Sequence, residues 1–428
     1  MEKKVFEQLE ETLYYEQLAN GLDVYLLPKA GINKSFATFT TKYGSIDNEF
    51  VPLNKTDMLR VPDGIAHFLE HKLFEKEDYD VFEKFSAHSA SSNAFTSFTR
   101  TCYLFSCTSE LHENLTTLIE FVQNPYFSPE TVEKEKGIIE QEINMYNDNP
   151  DSKAYYAIIN NLFHNHPVKI DIAGTVESIQ EVTADLLYEC YHTFYHPSNM
   201  LLFIVGDFDV EATMTLIRDN QAAKDYTKQP PIERQYPNEP ATVATPESTM
   251  EMEVATPKVL VGIKDIVSDR SGEELLKCEL VADMLMDLTL GASSSFHEDM
   301  LAKGYINESF TYETSFDLSF GFSLVGGDTK YPEELAQSIK AQLEVIRTIK
   351  VDEADFTRIK NKKVGRFLNA LNSVEFIANQ FTQYAFNGVQ LFTIVEILEK
   401  ITVSDLEAFA KDYFKPEAVS VFTMMPKK

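Results

Sequence analysis

The chain has 428 residues, of which 44% are hydrophobic and 12% aromatic, and it carries a formal net charge of -29. Single cores stop growing at roughly 250–300 residues, so two domains are expected, and the apolar share excludes a disordered chain. With 38 Lys and Arg against 67 Asp and Glu, the balance excludes sequence-independent nucleic-acid binding, which needs cations to neutralise phosphates.

In chain order, Met1-Glu2-Lys3-Lys4 runs into Glu-rich sequence without an apolar signal core, and no stretch approaches the ~20 apolar residues of a membrane helix. A cytoplasmic protein with no membrane span is expected. Asn20-Gly21 marks a turn ahead of a strand over 22–27, and residues 35–43 read as a second strand, so the chain is expected to open as a hairpin. Helices are expected over 64–75, 110–123 and 129–147. Cys102, Cys107, Cys190 and Cys278 show no CxxC spacing and read as reduced, structural thiols.

Residues 223–250 collect prolines, charges and small residues with no hydrophobic period and read as a linker. The segments on either side end alike. VTADLLYECYHTFYHPSNMLLFIVGD (182–207) and ITVSDLEAFAKDYFKPEAVSVFTMMP (401–426) each open a helix at a Thr, carry an aromatic pair, place a Pro two residues on and continue into a β-rich run. Such self-similarity indicates duplication, with domains at 1–222 and 251–428. Strands and helices alternate without regular parallel βαβ spacing, so the class is α+β.

His67-Phe68-Leu69-Glu70-His71 lies in VPDGIAHFLEHKLFEK, where Ile65, Leu69 and Leu73 make one helical face and Asp63 is the expected N-cap. On a helix, i and i+4 lie one above the other, so both imidazoles reach one ion while Glu70 projects alongside. Two neutral nitrogens beside a carboxylate suit metal-assisted hydrolysis, and H-x-x-E-H is a known zinc-binding spacing. The motif would arise in roughly two per cent of shuffled chains of this composition, so more is needed to decide its role.

A hydrolytic zinc site takes three protein ligands and leaves one position open. The segment YFSPETVEKEKGIIEQEINMYNDNP opens with Ser128-Pro129, a sound helix start, and offers Glu133, Glu135, Glu140 and Glu142. Helical phase pairs Glu135 with Glu142 beside Ile138, Ile139 and Met145, expected to pack inward. It also pairs Glu133 with Glu140 on a neighbouring stripe. Phase alone leaves both pairs open.

HFLEH with its trailing KLFEK, SSNAFTSFTRTCY, EKEKGIIEQEI, IAGTVESI and FYHPSNMLLFIVGD follow one another as in the pitrilysin/insulinase family of zinc metallopeptidases, which this chain resembles over most of its first half. The resemblance implies Glu142 as third ligand to Zn²⁺ with His67 and His71, and Glu135 as a carboxylate that orients the ligands. It implies two α+β halves, each with helices on a mainly antiparallel sheet, enclosing a peptide chamber on dimerisation. It also assigns Asn93, Ala94, Phe95 and Thr96 to an edge strand to which a peptide substrate adds.

The activity implied is endopeptidase cleavage of peptides or small unfolded proteins, with Glu70 as the general base that takes a proton from water and passes it to the leaving amine. The alternative is a non-catalytic scaffold or peptide-binding subunit, which would have no need for intact His67, Glu70, His71 and Glu142. Active relatives also place an Arg and a Tyr of the second half opposite the metal. Here the corresponding stretch, 290–313, holds Lys303 and Tyr305 but no Arg, and none occurs between Arg270 and Arg347. Either Lys303 or another position of this chain compensates, or a homologous companion chain supplies those residues, which is the reading expected here.

Overall fold

The computed structural model describes residues 1–265 and 270–427. The chain begins with strands β1 (Glu2–Phe6), β2 (Glu11–Gln17), β3 (Asp23–Pro28), β4 (Ser35–Thr41), β5 (Glu49–Phe50) and β6 (Leu59–Arg60). Helices α1 (Ile65–Phe74) and α2 (Val81–Ala87) lead into β7 (Ala90–Thr96) and β8 (Thr101–Cys107). Then come α3 (Leu111–Val122), α4 (Pro129–Asn147), α5 (Pro150–Leu162), α6 (Val176–Gln180), α7 (Ala184–Phe194), β9 (Met200–Gly206) and α8 (Val210–Ala222). The rest forms β10 (Glu247–Met252), β11 (Lys258–Lys264), α9 (Gly272–Leu290), α10 (Ser295–Ala302), β12 (Thr311–Phe316) and β13 (Gly321–Asp328). It closes with α11 (Pro332–Ile346), α12 (Glu353–Ala370), α13 (Val374–Phe386), α14 (Ile394–Lys400), α15 (Val403–Tyr413) and β14 (Val419–Pro426).

The duplication is visible in sheet topology. One sheet runs β1-β2-β3-β9-β4-β8-β7 and the other β10-β14-β11-β13-β12. In each, the last strand of the repeat lies parallel to one neighbour and antiparallel to the next: β9 between β3 and β4, and β14 between β10 and β11. The helices before these strands start alike, with Thr183 accepting from Leu186 N–H and Thr402 from Asp405 N–H. The fold is mixed α+β with mainly antiparallel sheets.

The expected opening hairpin is corrected. The Asn20-Gly21 turn is present, but it joins β2 to β3, and β9 separates β3 from β4. The reason is burial: all seven residues of MLLFIVG in β9 are buried, so this continuous apolar run takes an interior position that local turn chemistry does not reveal.

Contacts divide the chain into two compact units that do not follow the halves of the sequence. The first comprises Met1–Ile143, Ile170–Gln235 and Ala370–Phe386, and the second Asn144–Lys169, Tyr236–Asn369 and Asn387–Lys428. Thus α5 packs on β11 and β14 in the second unit, while its counterpart α13 packs on β4 and β9 in the first. Phe381 of α13 is 0% exposed, with its ring centroid 4.5 Å from that of Phe203 and 4.8 Å from that of Tyr25. Phe381→Ala is expected to destabilise the first unit by about 3–5 kcal/mol, measured by urea unfolding of the full chain. A loss below about 1 kcal/mol would show that the helix does not hold that sheet face.

The segment read as a linker is pinned at its middle, and the expected boundary at 250 is corrected, since residues from Glu247 already pair with β14 as part of β10. Arg234 pairs with Asp47 at 2.9 Å, and Gln235 N–H donates to Glu49 O. The Glu239 carboxylate accepts from the N–H groups of His164, Asn165 and His166. Hydrogen bonds and two isolated apolar residues, Ile232 and Val243, hold it, so no hydrophobic period marks it. No described helix is long and apolar enough to cross a membrane.

Candidate metal centre

Helix α1 begins at Gly64, whose φ of +88° and whose approach to Ala173 leave no room for a side chain: a Cβ there would stand 2.3 Å from Ala173 O. The expected Asp63 cap is corrected. Asp63 instead accepts from Arg60 at 2.8 Å and from Asn48 at 3.1 Å, so its carboxylate is already engaged. Burial of Ile65, Phe68, Leu69 and Leu73 fixes the helix rotation and turns His67 and His71 to the other face, their ring centroids 4.6 Å apart.

The rotation of α4 brings one of the two glutamate pairs to α1. Its buried residues are Val132, Lys136, Ile139 and Ile143, a narrow stripe that separates the pairs to opposite flanks. Glu135 and Glu142 fall on the flank that meets α1, whereas Glu133 is taken by Lys136. The inward packing expected of Ile138 and Met145 is corrected: they are 47% and 59% exposed, because the stripe is centred on Ile139 and leaves both on the outer side.

One ligand atom each of His67, His71 and Glu142 lie within 4.8 Å of one another. His71 Nε2 is 3.3 Å from Glu142 Oε2, and His67 Nε2 is 3.7 Å from Glu142 Oε1. Bonds of about 2.0–2.1 Å in a tetrahedron set ligand atoms roughly 3.3 Å apart, so this donor set fits Zn²⁺. The 3.7 Å separation of His67 Nε2 from Glu142 Oε1 is too long for a hydrogen bond, so these two are neighbours without a direct bond. His71 Nδ1 stands 3.1 Å from Glu135 Oε1, a contact of the kind that would fix the ring were His71 to hold a metal. His67 Nδ1 is buried with no such partner among the described residues, so the two rings are held unequally.

Charges follow this geometry. His67 and His71 beside Glu142 hold its carboxyl well below the usual carboxylate range. Burial is the largest single influence on His71 and disfavours its charged form, but bonds to Glu135 and Glu142 outweigh it and push the imidazole up to about 10. Ion binding at such a group releases a proton and weakens in acid.

Glu70 lies outside the donor set, is 8% exposed, and accepts from Thr96 Oγ1 at 2.7 Å. Asn93, Ala94, Phe95 and Thr96 lie in β7, at the edge of its sheet and paired with β8. The sequence reading treated Thr96 as strand backbone and missed its contact with Glu70. Register with Thr101 across the hairpin was the available signal, but it shows nothing about α1.

Comparison with known proteins gives this arrangement its relatives. Residues 61–176 match the family model for insulinase (peptidase family M16), and residues 181–363 match the peptidase M16 inactive domain. YmfH of Bacillus subtilis (strain 168), an uncharacterized zinc protease, is 54% identical over 99% of this chain and 98% of its own. This chain belongs to the pitrilysin/insulinase family. An M16-like peptidase from Alicyclobacillus acidocaldarius is 38% identical, with a TM-score of 0.94 over 97% of this chain and 99% of that one. Pitrilysin itself shares the fold at 14% identity and a TM-score of 0.74, with 99% of this chain covering 46% of the pitrilysin chain. The chain thus belongs to a family of peptidases, and the name of YmfH makes zinc the metal to test.

Proposed function

We propose that this protein is a zinc-dependent endopeptidase that cleaves peptides or small unfolded proteins. The observation that carries the reading is the convergence of His67, His71 and Glu142 on one point, with Glu70 on the same helix as the histidines but outside the donor set. In this reading His67, His71 and Glu142 hold the ion, and Glu135 keeps the His71 ring in place. Zn²⁺, when bound, supplies Lewis acidity towards water and the scissile carbonyl. Glu70 takes the proton from the attacking water and returns it to the leaving amine. The edge of β7 at Asn93, Ala94, Phe95 and Thr96 receives the substrate as an added strand, where main-chain hydrogen bonds give affinity without demanding a sequence.

A homologous companion chain forms part of the proposal. Lys303 pairs with Asp299 at 2.6 Å on the surface and the Tyr305 ring packs on Tyr331 at 5.2 Å, and neither offers the forked donors of an Arg. Cytoplasmic placement agrees with four free cysteines, of which Cys102, Cys107 and Cys190 are buried.

The test is mass spectrometry of products from a mixed peptide library, with and without chelator. Cleavage abolished by chelator and restored by zinc supports the reading. Peptide binding without cleavage, with zinc present, would favour a non-catalytic peptide-binding or scaffold subunit. That second reading draws support from the inactive-domain description that matches residues 181–363.

Metal content gives a sharper prediction. The purified chain is expected to hold about one zinc, and Glu142→Gln to weaken retention far more than Glu140→Gln. Glu135→Gln should weaken zinc affinity by about 10–100-fold, as expected of a partner that acts through His71. Equal losses for Glu142→Gln and Glu140→Gln in a competitive chelation titration would overturn the ligand assignment.

A further inference from the structure

We infer that Thr96 is a positioning residue for Glu70, joining the strand that receives substrate to the side chain that moves the proton. The inference rests on the peptidase reading and extends it to a residue whose side chain that reading leaves unused.

Alternation along β7 places Ser92, Ala94 and Thr96 on one face and Asn93 and Phe95 on the other. Helix α1 packs against β7, and it is Glu70 that Thr96 meets, at 2.7 Å. An ionised carboxylate only accepts, so the Thr96 hydroxyl donates, and a charge-assisted bond of this kind is among the stronger ones. Thr101, directly opposite Thr96 in register, does not compete for that proton. Its own hydroxyl donates to Tyr43 O at 2.9 Å, and its oxygen stands 3.4 Å from Thr96 Oγ1.

The strand end is itself held. Ser97 N–H donates to Arg100 O at 2.8 Å, while Ser45 N–H and Ile46 N–H donate to Ser97 O and Phe98 O at 3.0 and 3.1 Å. Gly44 permits that approach, since a Cβ there would stand 2.3 Å from Phe98 O. A β-branched Thr has few χ1 choices, so the fixed strand end fixes the hydroxyl, and the hydroxyl fixes Glu70. Any shift of the β7 end when a peptide pairs with its edge is thereby passed to the base.

The test uses the zinc-loaded full chain and a quenched peptide. Thr96→Val keeps shape and β-branching but removes the donor, and it is expected to lower kcat by about 10–100-fold, with KM changed less than about threefold, because misplacing a reacting group by about 1 Å costs up to about 10²-fold. Thr96→Ser, which restores the hydroxyl, is expected to recover most of kcat. Zinc content should match wild type in both, and crystals of Thr96→Val should show the Glu70 carboxylate rotated away from its wild-type position. Unchanged kcat with Glu70 in place would overturn the inference, as would a rise in KM alone, which would leave Thr96 as part of the substrate strand only. If Thr96→Val proves unstable, Thr96→Ala is read by the same two measurements. Wild type that holds zinc but cleaves nothing would refute the peptidase reading instead, and the position of Glu70 in the crystals would still decide the role of Thr96.

Discussion

Glu70→Gln is expected to leave about one zinc per chain and to lower kcat/KM by roughly 10²–10⁴-fold, the range for removing a positioned general base. Gln matches Glu in size and keeps an oxygen for the Thr96 hydroxyl, which lies 2.7 Å from Glu70, so packing and orientation are preserved. It cannot take a proton from water. Because Glu70 stands outside the group formed by His67, His71 and Glu142, the metal should remain. His67→Ala is the control: it removes a ligand and should lose zinc and activity together. Zinc content and kcat/KM measured on the same preparations separate the two roles. Loss of metal from Glu70→Gln as readily as from His67→Ala would make Glu70 a ligand and refute its assignment as base.

Mixing this chain with a homologous companion is expected to raise kcat/KM by about 10²–10³-fold, the size of effect seen when a donor to a developing oxyanion is removed or restored. The stretch 290–313 of this chain contains no Arg, and a Lys lacks the forked donors with which an Arg holds a carbonyl oxygen. The comparison is of kcat/KM for one quenched peptide with and without the companion, alongside the mass of the mixture. Equal rates and no change in mass would leave a self-sufficient enzyme and end the companion proposal.

Much of the candidate site was legible before any coordinates, because its spacing is local. His67, Glu70 and His71 lie within one and a half turns of a single helix, and helix geometry alone puts both imidazoles on one side. The bounds expected for α1, α3 and α4 agree with the structure to within one residue, since apolar period and the Ser128-Pro129 start are signals carried by neighbouring residues. The likeness between 182–207 and 401–426 reappears in the sheets, where β3-β9-β4-β8-β7 of the seven-stranded sheet corresponds to β10-β14-β11-β13-β12 of the five-stranded one.

What the sequence by itself determined is therefore the elements, the duplication and the chemical types of the site residues, all of which depend on contacts between near neighbours in the chain. Tertiary structure decided the rest. Helical phase left Glu142 and Glu140 open; that Glu142 rather than Glu140 lies beside α1 depends on how α4 rolls about its buried stripe of Val132, Lys136, Ile139 and Ile143, and that roll is set by the surface α4 packs on. The place of β9 between β3 and β4, and the exchange of α5 and α13 between units, depended on which apolar faces remained to be covered. The Thr96–Glu70 bond spans 26 residues and two elements. Burial and hydrogen bonding act on whatever is near in space, whereas periodicity records only what is near along the chain, so the contacts that assemble the site could be read only from the fold.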